Sequence, residues 1–526
     1  MKMNPPLLKL AAVVIAGLAL HVQADNARNP IIHADVPDIA MVRVGDTYYM
    51  SSTTMHLSPG VPIMKSKDLV NWELVNYAYD RLDEVDAMNL ANGQSTYGKG
   101  SWASSIRYHN GTFYVSTFAQ TTGKTYVYST KDIEKGPWQA LSFRPMLHDN
   151  SLFFDDDGRV YMVSGAGRLT LTELLPDVSG IKPDGINQVI INDANELFGS
   201  DKGGLNGEGS QLIKVKGKYY LFNIASPKSR WSRTVLVHRA DKLTGPWEGR
   251  VALQDKGVAQ GSIIDTPNGE WFGYFFRDTG AVGRIPWLVP MKWEDGWPVF
   301  GENGKVPETF NLPASKGIIP GIVASDEFTR QPGERPLPLV WQWNHNPDNS
   351  LWSLTQRPGF LRLTTGRVDK DVLSARNTLT QRTIGPECSG TTCVDVSNLK
   401  DGDFAGLLLL QKNFGLVGVK SDGGTNFIVM VSAETREPKE LERVPLAQTT
   451  VYLRAECDFK NQTDRARFYY SLDGKSWSPI GGSLKMTYNL AHFMGYRFGL
   501  FNFATKTPGG HADFDFFHIS DKLGTN

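Results

Sequence analysis

The sequence predicts an all-β protein: a five-bladed β-propeller followed by a β-sandwich of two sheets. Three observations carry the propeller and the sandwich. A polar turn with glycine, leading into an aromatic strand, returns five times in the first 300 residues. Glycine is abundant at 52 residues and aromatics make up 11% of the chain, a composition suited to many hairpins. Beyond the last repeat, short strand patterns run to the C-terminus without helical periodicity.

In chain order, residues 1–24 read as a signal peptide. Lys2 and Lys9 precede the apolar run Leu10 to Leu20, and Val22-Gln23-Ala24 has the small-residue form of a cleavage site. A secreted or periplasmic protein is expected. No later stretch approaches the length of a membrane span, so none is expected. Residues 25–312 hold the repeat. Its copies are Val44-Gly45-Asp46-Thr47-Tyr48-Tyr49, His109-Asn110-Gly111-Thr112-Phe113-Tyr114, Asp156-Asp157-Gly158-Arg159-Val160-Tyr161, Lys216-Gly217-Lys218-Tyr219-Tyr220 and Asn268-Gly269-Glu270-Trp271-Phe272. The last aromatics, from Tyr49 through Tyr114, Tyr161 and Tyr220 to Phe272, are spaced by 65, 47, 59 and 52 residues. A tail follows several copies: Ser66-Lys67-Asp68-Leu69-Val70-Asn71-Trp72, then Ser129-Thr130-Lys131-Asp132-Ile133 with Trp138, then Asp241-Lys242-Leu243 with Trp247. A repeat of this length with strand patterns is the signature of a propeller, one blade per copy.

Residues 313–325, with Pro313 and Pro320, read as a linker. Residues 326–526 carry Trp341-Gln342-Trp343, Gly359-Phe360-Leu361, the apolar run Phe404 to Leu410 and a Leu472-Asp473-Gly474 turn, a pattern for two packed sheets. The cysteines Cys388, Cys393 and Cys457 lack metal-site spacing. Either Cys388 and Cys393 close a short disulfide loop, leaving Cys457 free, or all three are plain thiols. Charges balance at 55 Lys+Arg against 55 Asp+Glu without a basic stripe, which argues against nucleic acid as a partner.

In a propeller the innermost strand of each blade lines a central depression. Residues just before each hairpin therefore converge although they lie far apart in sequence. Carboxylates stand at three such places: Asp38 before the first hairpin, Asp149 before the third and Glu208 before the fourth. Alone, Pro37-Asp38 reads more readily as a turn-capping aspartate, whereas the glycines of Gly207-Glu208-Gly209 would let the backbone approach a ligand and free the carboxylate of neighbouring bulk, with a flexible surface loop as the alternative. The set of three points to acid–base chemistry.

Over nearly the whole mature chain the sequence resembles glycoside hydrolase family 43, which includes β-xylosidases and α-L-arabinofuranosidases. The resemblance rests on Pro37-Asp38 before its hairpin, Ser66 to Trp72, Trp102-Ala103, Asp149 before Phe153-Phe154-Asp155, Glu208-Gly209 and Asp295-Gly296-Trp297-Pro298. In the second body, Trp341-Gln342-Trp343-Asn344 and Met494-Gly495-Tyr496-Arg497 resemble the concanavalin-like sandwich of xylosidase-type members. The resemblance implies that Asp38 is the general base for the attacking water and Glu208 the general acid. Asp149 would hold and tune Glu208, its charge keeping the acid protonated until needed. It further implies that Arg284 binds sugar hydroxyls and Trp102 packs on the pentose face. Met55 and His56 would lie in the pocket wall. Gln260 stands where many members carry a histidine near a metal at the propeller axis; it is a poorer ligand, so no cofactor is required and a structural calcium there is disfavoured, though left open. The expected function is exo-acting, inverting removal of terminal α-L-arabinofuranosyl or β-D-xylosyl residues from plant hemicellulose oligosaccharides or side chains. A non-catalytic carbohydrate-binding propeller is the rival reading, and it would require the loss of one of the three carboxylates.

Overall fold

A computed structural model describes residues 26–435 and 437–524. The signal-peptide reading falls outside these residues. Five four-stranded antiparallel sheets follow one another in sequence order, and their innermost hairpins are the five predicted repeats. Blade 1 consists of Ala40–Val44, Thr47–Ser51, Gly60–Ser66 and Glu73–Tyr79. Blades 2, 3, 4 and 5 begin at the strands Ser105–His109, Ser151–Phe154, Glu208–Val215 and Ala259–Asp265. The repeated tail is a turn between the outer strands. Asp68 Oδ1 accepts the N–H groups of Val70 and Asn71 at 2.9 and 2.7 Å, and Trp72 Nε1 donates to the Leu69 carbonyl. Asp132 caps the same turn in blade 2 and Trp247 closes it in blade 4. The aspartate satisfies backbone donors that the strands leave unpaired.

The ring is closed from both ends of its chain. The strand Asn26–Arg28 pairs with Thr309–Pro313 beyond blade 5. Asn29 exchanges two hydrogen bonds with Leu288 of blade 5, and Arg43 of blade 1 donates to Asp265 of blade 5 at 3.1 Å.

The C-terminal body is a sandwich of two large sheets. Its strand Asp403–Leu410 is buried at every residue. Ala405, Leu407 and Leu409 face the core shared with Phe514 and Phe517, while Phe404, Leu408 and Leu410 pack with Leu57 of the propeller and Met494. Burial on both faces explains the unbroken apolar run where alternation marks a half-exposed strand. The sheet also receives a strand from the propeller. Leu57–Ser58 pairs with Gln342–Asn344, occupying an edge that would otherwise present unpaired backbone groups. Among the described residues the helical elements are three 3-10 segments, and no helix is long and apolar enough to cross a membrane.

The disulfide alternative for Cys388 and Cys393 is corrected here: all three thiols are free and buried. Cys388 and Cys393 lie on one extended strand, Glu387–Asn398. Five steps of ~3.3 Å separate them by about 16 Å, whereas a disulfide needs Cα atoms closer than about 7 Å.

Between the two bodies lies a buried ring cluster. His56 of the propeller packs on Tyr97, His345 and His492, with centroids 4.5, 4.9 and 6.0 Å away. Burial holds these imidazoles neutral, their pKa values well below the usual 6.5 and for His492 down to about 3. As pH falls through 6.5 the unfolded chain takes up protons here while the folded chain does not. Each site therefore costs about 1.4 kcal/mol of stability per pH unit of acidification. His492→Gln is expected to flatten the loss of urea resistance between pH 6.5 and 4. An unchanged slope would contradict the burial argument.

Candidate active site

The three carboxylates converge at the mouth of the ring. Asp38 and Asp149 are 5% and 6% exposed, and both hold left-handed backbone, with φ of 52° and 46°. Gln260, second residue of the first strand of blade 5, has φ 55°. Non-glycine residues in this region store strain that concentrates at functional sites.

Asp38 is held from two sides. Thr53 Oγ1 donates to Oδ2 at 2.6 Å, and the Arg284 guanidinium donates to Oδ1 at 2.7 Å. Arg284 is positioned by its own backbone, whose N–H donates to Asp35 Oδ1 at 2.8 Å. A Cβ on the preceding Gly283 would lie 2.1 Å from that same oxygen, so only glycine permits the approach. Burial works against the Arg284 charge, but Tyr488, Asp38 and Asp278 raise its pKa further.

Asp149 Oδ2 accepts the N–H of Gly209 at 2.8 Å, which fixes the backbone beside Glu208. Burial pushes the Asp149 carboxyl up; the charge of His148 opposes this, and those of Glu208 and Asp38 add to it. The glycines around Glu208 serve close packing, which the flexible-loop alternative does not explain. A Cβ on Gly207 would sit 2.4 Å from that of Ala194, and one on Gly209 2.8 Å from Gln260.

Of the other expected residues, Trp102 lies in the site, with its ring 6.2 Å from His148 and 5.1 Å from Phe493. His56 does not join the carboxylates. It is 3% exposed and its ring is turned into the interdomain cluster behind the wall. Gln260 buttresses Gly209 and offers only a neutral amide oxygen. Among the described residues one group of three ligand-type side chains gathers within 4.8 Å: His148, Asp149 and Glu208. Its imidazole lies within reach of both carboxyls, so the three can share protons among themselves.

Two residues of the site escaped the sequence reading. His148 stands beside Asp149 in the chain, and its Nε2 lies 3.4 Å from Glu208 Oε2 and 3.8 Å from Asp149 Oδ2. Phe493 comes from the sandwich. With φ 57° it packs on Trp102 and beneath the Arg284 guanidinium at 4.9 Å. Its neighbour Gly495 donates to Asp35 Oδ2 at 2.9 Å, so one buried aspartate ties blade 5 and the sandwich to the first blade.

Carboxyl groups gathered at the mouth of a ring, beside an arginine and an aromatic wall, are the equipment of a glycoside hydrolase. Comparison with known proteins makes the class specific. The chain belongs to glycosyl hydrolases family 43, whose family model matches residues 27–298, and residues 325–520 match the β-xylosidase C-terminal concanavalin A-like domain. A β-xylosidase from Formosa agariphila is 29% identical, over 93% of this chain and 89% of that protein. A putative β-xylosidase from Xylanibacter ruminicola is 31% identical, over 88% and 83%. Among solved structures, a bifunctional GH43-CE protein from Bacteroides eggerthii is 61% identical with a TM-score of 0.94, covering 95% of this chain. The present chain spans 64% of that bifunctional protein.

Proposed function

We propose that the protein is a secreted or periplasmic, exo-acting, inverting hydrolase that removes terminal α-L-arabinofuranosyl or β-D-xylosyl residues from hemicellulose oligosaccharides or side chains. The observation that carries this reading is the meeting of Asp38, Asp149 and Glu208 at a ring mouth partly walled by Phe493 of the sandwich. Asp38 takes a proton from the attacking water, held in place by Thr53 and Arg284. Glu208 protonates the departing oxygen, its position set by the Asp149 contact to Gly209. The face of Trp102 receives the apolar side of the sugar. Xylosidase and arabinofuranosidase names among the relatives support the pentose, and the basic and apolar segment from Lys2 to Ala24 supports export. Product profiles from xylo-oligosaccharides and arabinosylated xylo-oligosaccharides test the exo reading. Free pentose and the chain shortened by one residue are expected in equal amounts as the early products, and early release of oligosaccharides of two or more residues from longer chains without matching free pentose would contradict it.

A further inference from the structure

We propose that His148 is a positioning residue that returns the proton to Glu208 after each turnover. The inference rests on the glycosidase reading above. After bond cleavage Glu208 is a carboxylate facing a filled pocket, and a proton must reach it from the side away from the sugar. Asp149 is a poor route: its side chain is 7% exposed and engaged with the Gly209 N–H. The His148 side chain is 31% exposed, and its Nε2 lies 3.4 Å from Glu208 Oε2. It is thus in touch with the acid and with solvent at once. The ring is held by Phe118, edge-on at 5.2 Å, and by Trp102, and its backbone carbonyl accepts the Gly165 N–H at 2.9 Å.

The charged groups around the imidazole are all acids: Asp149 from its own segment and Glu208 from blade 4, with Asp38 of blade 1 acting on Asp149. Blade 2 faces it with aromatic rings. Burial pulls the imidazole pKa down, but the hydrogen bond to Glu208 and the charges of Asp149 and Glu208 outweigh this and lift it to about 9. That rise depends on the Glu208 charge, so the ring takes up its proton once bond cleavage has left Glu208 a carboxylate.

The step balances. Glu208 gives its carboxyl proton to the glycosidic oxygen as the C–O bond breaks, while water forms the new C–O bond and loses its proton to Asp38. The His148 Nε2–H bond then breaks as an O–H bond forms on Glu208 Oε2. His148 takes a replacement proton from solvent and Asp38 releases one to it, so no net proton is consumed.

The test compares wild type, His148→Gln and His148→Gly on two substrates of the sugar that wild type accepts: an unactivated disaccharide (xylobiose or an arabinosyl-xylose) and the 2,4-dinitrophenyl glycoside. For His148→Gln, kcat on the disaccharide should fall on the order of 10²-fold, the low end for a positioned proton-transfer group, with KM little changed. The dinitrophenyl glycoside, whose leaving group needs no proton, should lose far less. The alkaline limb of kcat should move to lower pH, and added imidazole should restore part of the His148→Gly rate. Equal losses on both substrates, or wild-type kcat and pH profile, would overturn the proposal. Either result could arise while Glu208→Gln remains impaired, leaving the glycosidase reading intact; a wild type inert on every glycoside would sink that reading instead.

Discussion

Glu208→Gln should lower hydrolysis of unactivated pentosides by about 10²- to 10⁴-fold, the range that a positioned general acid contributes. The same variant should retain much of its rate on a dinitrophenyl pentoside, because that leaving group departs unprotonated. Asp38→Asn should behave differently, with both substrates losing on the order of 10⁴-fold, since every turnover needs water deprotonated. The contrast separates the two roles more firmly than either loss alone. It also distinguishes catalysis from damage, because an unfolded site would lose both substrates in both variants. Asp38 is the more exposed to that objection, being 5% exposed and paired with Arg284, so circular dichroism must accompany its kinetics.

The second large effect concerns the sandwich. A chain ended after the propeller should be inactive and poorly soluble. Removing the sandwich uncovers Leu57, strips Leu57–Ser58 of its strand partner and leaves one carboxylate oxygen of Asp35 without its Gly495 partner. Water can reach the freed polar groups, so the main loss is the cover on apolar surface, about 25 cal/mol for each Å² exposed, and the bared patch favours aggregation. Phe493→Ala isolates the catalytic part of this contribution. Losing a ring packed on Trp102 and Arg284, worth about 1.5 kcal/mol, should lower kcat/KM about tenfold with the fold intact. An active, folded propeller alone would refute the shared site.

The sequence showed what local chemistry encodes. Each blade announced itself through a glycine turn and an aromatic strand, because the turn needs left-handed backbone and the strand a buried face. The three carboxylates were legible because they occupy one place in a repeat, so periodicity did the work of tertiary contact. What stayed hidden depends on side-chain direction or on distant partners. His56 is near the site in the chain, yet its ring is turned toward the sandwich. His148 was visible beside Asp149, but nothing local says its imidazole reaches Glu208 across the gap to the next blade. Phe493 contributes from far along the chain, and the strand Leu57–Ser58 is too short to show a period. The cysteine spacing looked like a small loop until the pair fell on one extended strand.

The most direct measurement is proton NMR of the sugar first released, recorded before mutarotation. If Asp38 activates water and Glu208 protonates the leaving group, the configuration should invert: α-xylose from a β-D-xyloside, or β-L-arabinofuranose from an α-L-arabinofuranoside. Release of the retained anomer would mean a covalent intermediate, and would contradict the role assigned to Asp38.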